Sequence, residues 1–164
     1  MRQVTRMSGE EVNAVRRELE RLKEIGLLTS EERANRLYYK VRKSFPFYYE
    51  LLRMVGKITG LGKAVIDQAD RLGNIKFAML STRFVQNVPA DANQIDALFV
   101  GQIEIERLQS LVREHEEKLG REINYTVMTM DELEFRKNRG DAFVRSVLSQ
   151  PQVVLVGDEE ELNG

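Results

Sequence analysis

The sequence predicts an α/β chain of the α+β kind: a helix-and-hairpin head, then a mixed sheet flanked by helices. Three observations carry this prediction. Apolar residues recur at helical spacing from Val12 to Ile25. An alternating run rich in β-formers follows at 36–42. Beyond Gly73-Asn74, short apolar strands alternate with longer amphipathic stretches, as in a sheet packed between helices.

The elements follow in order. Ser8-Gly9-Glu10-Glu11 has the capping-box spacing, Ser followed three residues on by Glu, and predicts a helix starting there. Val12, Val15, Leu19, Leu22 and Ile25 then form one apolar stripe, and Gly26 stops the helix in a left-handed cap. Leu27-Leu28-Thr29 reads as a short strand, Glu31 to Asn35 as a polar turn, and Arg36 to Arg42 as the returning strand. Pro46 marks a break. Helical spacing resumes from Phe47 to Thr59, is interrupted at Gly60 and Gly62, and continues from Lys63 to Leu72. Strands are expected at Ile75–Leu80, Ile95–Val100 (ended by Gly101), Ile123–Met128 and Val153–Val156. A long loop over 82–93 separates the first two. Helices are expected at Glu104–Leu119 and Met130–Ser149, the latter broken near Gly140, and the tail Asp158 to Glu161 is acidic. Three segments result: a head at 1–46, a helical connector at 47–72 and an α/β domain at 73–164.

Composition narrows the function classes. The 164 residues include no cysteine, which removes disulfides and thiolate metal sites and favours a reducing compartment, the cytoplasm. No apolar run approaches the roughly 20 residues of a membrane span, and the polar N-terminus is not a secretory signal. The net charge of −1 conceals an asymmetry. Residues 1–63 carry 14 Lys+Arg against 8 Asp+Glu, and residues 64–164 carry 11 against 18. A basic front fits a nucleic-acid-binding head; the plain alternative is drift in surface charge.

The run from Val15 to Leu28 resembles the recognition helix and following strand of winged-helix transcriptional regulators, and Asn35-Arg36-Leu37-Tyr38-Tyr39 resembles their wing. The chemistry suits the likeness. Asn13, Arg16, Arg17 and Arg21 project away from the apolar stripe, and Asn and Arg are the side chains that read adenine and guanine edges. Arg33, Arg36 and Lys40 on the wing are the expected clamps on the phosphate backbone of double-stranded DNA. The plain alternative is a solvated basic face beside a hairpin. Met1 to Met7 leave room for only one or two helical turns ahead of the recognition helix, so the head is expected to be incomplete or the chain to begin late. Glu31 and Glu32 are expected at the wing tip, where phosphate repels them.

The stretch from Ile75 to Gly101 resembles the minimal nucleotidyltransferase domain, a family often fused to such a winged helix. The likeness extends to Phe45–Leu51 and Leu119–Asn124, and so covers nearly the whole chain. The family carries Gly-Ser after one strand, Asp-x-Asp on the next and a third carboxylate on a later one. Gly-Ser approaches a triphosphate, and the carboxylates hold two Mg²⁺ ions. Here the Gly-Ser position falls on Thr82-Arg83, the first Asp on Gln94, the second on Asp96 and the third carboxylate on Asn124. Asp96 alone survives. The resemblance therefore implies a nucleotidyltransferase-like scaffold without catalysis, with no metal site and no cofactor, serving as scaffold, dimerisation or sensor unit of a DNA-binding regulator. Two alternatives stand beside it: a divergent Mg²⁺-dependent transferase using Asp96, and an antitoxin-like protein-interaction partner. A homodimer is expected, seamed by the aromatic-rich segment from Phe45 to Met54. His115, the sole histidine, is expected on the solvent side of its helix among Glu114, Glu116 and Glu117.

Overall fold

The computed structural model describes residues 2–89 and 94–163, apart from the side chains of Arg2, Gln3 and Asn163. The chain forms two compact units, residues 1–50 and 51–164.

The first unit contains α1 (Arg2–Ser8), α2 (Val12–Glu24), β1 (Leu28–Arg33) and β2 (Arg36–Val41). Gly9, at φ 69°, donates its N–H to Thr5 O at 3.1 Å and ends α1. Ser8 therefore closes α1 instead of opening α2, a correction to the capping-box reading. The glycine directly after it takes the left-handed conformation that turns the chain out of the first helix. Helix α2 begins at Val12, and Glu11 in the N-cap position makes no side-chain cap. The three residues Gly9-Glu10-Glu11 thus join the two helices. Gly26, at φ 84°, ends α2 with paired bonds, Leu27 N to Leu22 O at 3.0 Å and Gly26 N to Lys23 O at 2.9 Å.

Val15, Leu19 and Leu28 are buried together, with Leu22, Leu27 and Tyr39 packed against them. Val12 and Ile25, the two ends of the apolar stripe, are exposed. The hairpin pairs Leu28↔Val41 through Arg33↔Arg36. Ala34 and Asn35 close it with φ of 48° and 57°, the conformation of a two-residue type I′ turn. Glu31 and Glu32 are consequently strand residues and not the tip, because cross-strand pairing with 37–38 extends them.

Helix α3 (Tyr48–Ile58) begins in the first unit and ends in the second, followed by α4 (Gly60–Asp67). The larger unit is built on β3 (Gly73–Ser81), β4 (Ala97–Ile103), β5 (Tyr125–Met128) and β6 (Gln152–Val156), in the order β5-β4-β3-β6. Strand β3 pairs antiparallel with both β4 and β6, while β4 and β5 are parallel and joined through α6 (Ile105–Leu119). The two strands expected at 75–80 and 95–100 are therefore neighbours in one mixed sheet. Alternation sorts their side chains. Ala78, Leu80, Ala97 and Phe99 join Leu61 and Val65 of α4 and Leu108, Leu111 and Val112 of α6. Phe77, Met79, Leu98 and Val100 join Leu133 of α7 (Met130–Asn138), Val144 and Val147 of α8 (Ala142–Ser149) and Leu162 of α9 (Glu159–Asn163). The fold is α+β with a helical layer on each face of this sheet.

Several boundaries differ from expectation, and α4 runs through Gly62 where an interruption was expected. Strand β4 runs through Gly101, at φ 138°, because a Cβ there would run into Asn74 O and its absence lets the neighbouring strand approach. Strand β5 begins at Tyr125, two residues late. The loop expected over 82–93 opens with a short helix, α5 (Thr82–Val85), while residues 90–93 lie outside the described residues. No helix among the described residues is long and apolar enough to cross a membrane.

Candidate functional site

In the first unit, Asn13, Arg16, Arg17 and Arg21 are all exposed on α2, while Val15 and Leu19 are buried on its other side. The ion pair recorded on this helix joins Lys23 to Glu20 at 3.9 Å and involves none of the three arginines. On the hairpin, strand alternation and the Arg33↔Arg36 and Thr29↔Lys40 pairings put Arg33, Arg36 and Lys40 on one face. The opposite face carries Leu28 and Tyr39, which pack against α2. All three cations are exposed. Arg33 is held by Glu31 from the same face, Nε to Oε1 at 2.6 Å and Nη2 to Oε2 at 2.9 Å. In water such an exposed pair is worth at most about 1 kcal/mol, so a stronger anion displaces it readily.

The hairpin is fixed to the helix by the Tyr39 hydroxyl, which donates to Glu20 Oε1 at 3.0 Å. Burial first, and the Glu20 carboxylate second, hold the Tyr39 phenol above its ordinary pKa, against a smaller opposing effect of Arg16.

In the larger unit, β3 ends in Ser81, whose hydroxyl caps α5 by accepting the Phe84 N–H at 3.1 Å. Ser81, which the sequence reading passed over, thus occupies the strand-to-helix turn, and Thr82 follows it buried inside α5. Arg83 Nη2 donates to Pro89 O at 3.1 Å. Asp96 is 1% exposed. Its Oδ2 accepts from Arg121 Nη1 at 3.0 Å and from the Asn124 backbone N–H at 3.1 Å. Arg121 Nη1 also donates to Glu122 O at 2.9 Å, and its guanidinium lies over the Phe84 ring, 5.3 Å from the centroid. The Asn124 side chain donates to Gln94 O at 2.6 Å, while its own carbonyl receives Asp96 N at 2.6 Å. The Asp96 carboxylate is therefore part of a buried ion pair that ties the start of β4 to the segment leading into β5.

This arrangement does not fit a two-metal centre. Gln94 and Asn124 line an open cleft of about 480 Å³ with Ile95, Thr126, Ala142, Phe143 and Ser146. Asp96 is not among its walls; it is turned to Arg121, which already supplies the positive charge a cation would bring. Neutral amides are poor substitutes for carboxylates around Mg²⁺. Among the described residues, no three His, Cys, Asp or Glu side chains come together as a metal-binding group. Arg121 was not visible as a site residue, because its partner lies 25 positions away in sequence.

His115 corrects the solvent-facing expectation. It is 8% exposed, and its Nδ1–H donates to Leu111 O at 2.8 Å, since a carbonyl oxygen only accepts. It sits seven residues after Leu108 and three and four after Val112 and Leu111, in line with the apolar stripe of α6.

The chain matches no protein-family model, no curated protein and no solved structure.

Proposed function

We propose that the protein is a DNA-binding transcriptional regulator whose larger domain is a catalytically inactive relative of the minimal nucleotidyltransferases. One observation carries this reading. The second helix of a helix-turn-helix presents Asn13, Arg16, Arg17 and Arg21, and the adjoining hairpin presents Arg33, Arg36 and Lys40 on the face turned away from its packing. In this reading α2 lies in the major groove and reads bases, while the hairpin cations grip phosphate. The protein works as a homodimer on paired half-sites in the cytoplasm. The exposed Phe47, Tyr49 and Met54 offer apolar surface for the dimer seam. The nucleotidyltransferase-like domain serves as scaffold, dimerisation or sensor unit, and the Asp96–Arg121 pair supports the view that it performs no metal-dependent transfer.

The test is selection of preferred duplexes from a random pool, followed by titration of two variants. Arg17→Ala is expected to lose about 1–3 kcal/mol of discrimination between selected and unrelated duplexes. Lys40→Ala is expected to weaken both equally and to reduce the salt slope by about 1 per site. Identical behaviour of the two variants refutes the division between base reading and phosphate clamping.

A further inference from the structure

We infer that the larger unit contains a binding site for a phenol, in a cleft where His115 accepts a hydrogen bond from the ligand's hydroxyl. The cleft measures about 500 Å³ and lies between the α3–α4 turn, the end of β3, α5 and α6. Leu61, Leu80, Phe84, Val85 and Leu119 give it a mainly apolar wall. Gly60 borders it without a side chain and with open space beside it, which leaves room next to that wall. This site lies outside the proposed DNA-reading face and stands or falls independently of it.

The ring of His115 sets the ligand chemistry. Its Nδ1–H is committed to Leu111 O, which fixes the tautomer and leaves Nε2 as a bare acceptor. No other hydrogen bond is recorded to this ring among the described residues, and the ring lines the cleft. With Nδ1 turned back onto α6, the Nε2 edge is the part that meets an occupant. An acceptor nitrogen on the wall of an apolar cleft selects a ligand with one good hydrogen-bond donor on an apolar body. Lys118, which also lines the cleft, is paired with Glu114, its Nζ 2.6 Å from Oε1. A hydroxyl on an aromatic ring meets these conditions: flat apolar area against Phe84 and the aliphatic side chains, and a single strong donor for Nε2.

The experiment uses p-cresol as the probe and 4-methylanisole, which has nearly the same shape with the donor capped, as the control. His115 is the sole histidine, so its imidazole nitrogen resonances are assigned without ambiguity. In the free protein Nδ1 is expected to carry the proton. At about 10 mM p-cresol, near tenfold above the ~1 mM affinity ordinary for so small a ligand, the Nε2 resonance is expected to shift upfield. Under 4-methylanisole it stays in place. By titration, p-cresol is expected to bind about five- to tenfold tighter than 4-methylanisole, the worth of one hydrogen bond. In His115→Leu that gap is expected to close. The inference is overturned if Nε2 does not respond to p-cresol, if the intact protein binds both probes equally, or if the gap persists in His115→Leu. The first two outcomes need no variant, so a misfolded substitution does not protect the proposal.

Discussion

Removing Arg121 is the perturbation that most sharply tests what Asp96 does. In Arg121→Ala the Asp96 carboxylate, 1% exposed in the intact protein, loses its cation and keeps the Asn124 N–H on Oδ2. Removing one partner of a buried pair typically costs about 3–5 kcal/mol, because the charge left behind is neither solvated nor paired. Arg121 is itself a fifth exposed, which places this pair at the lower end, about 3 kcal/mol. For a unit of this size that is roughly a 10 °C fall in melting temperature. Asp96→Asn removes the more deeply buried charge and leaves the Arg121 guanidinium, a fifth exposed and still bonded to Glu122 O, without its anion; a smaller cost of about 1–2 kcal/mol is expected. The double variant then separates the mechanisms. With Asn at 96, loss of Arg121 strands nothing, so the double variant is expected to be more stable than Arg121→Ala alone by at least about 1 kcal/mol. Amide exchange at Phe99 and Val100, both fully buried on β4, reads the stability of this unit without interference from the other. A cost below about 1 kcal/mol for Arg121→Ala, or strict additivity in the double variant, refutes the ion-pair reasoning.

Three further outcomes follow from the same geometry. Gly62→Ala is expected to lose about 2 kcal/mol in a thermal melt despite the better helix propensity of alanine, because its Cβ runs into the backbone oxygen of Gly56; an unchanged or raised melting temperature contradicts this. Tyr39 is expected to titrate above the ordinary value near 10. The folded head holds this proton more tightly, so its stabilisation is complete below about pH 10 and is lost as pH rises through the folded Tyr39 pKa. Alkaline unfolding that is the same in Tyr39→Phe argues against the Glu20 contact. Incubation with nucleoside triphosphates and Mg²⁺ or Mn²⁺ is expected to release no pyrophosphate, and release that disappears in Asp96→Asn returns the transferase reading to first place.

What the sequence revealed followed the strength of local signals. The α2 stripe, the Gly26 stop and the alternation at 36–41 depend on neighbours a few residues away, and each forms where periodicity places it. The same holds for the pairing of the two apolar strands around the 82–93 segment, since both are too apolar to sit anywhere but the centre of a sheet. Ser8 misled because two local signals competed there: a cap for the following helix and a glycine stop for the preceding one. Gly9 won, since it alone reaches a positive φ without strain. His115 misled because its charged neighbours in sequence are not its neighbours on the helix; counting at intervals of three, four and seven puts it with Leu108, Leu111 and Val112. Arg121 and Ser81 were illegible for a different reason. The ion pair to Asp96 depends on the sheet bringing β4 and the start of β5 together, which no short-range pattern encodes, and the Ser81 cap serves a helix of only four residues, too short for its periodicity to show.

The regulator reading is tested most directly by one titration: fluorescence anisotropy of a labelled duplex drawn from the selected pool, measured with the full chain at several salt concentrations. Each phosphate neutralised by the hairpin and α2 cations contributes about −0.9 to the slope of log affinity against log salt. Three hairpin clamps in each of two protomers predict a slope near −5, and an affinity that falls by about a thousandfold from 50 to 200 mM salt. No measurable duplex binding at 50 mM salt, or binding whose affinity does not change with salt, contradicts the account.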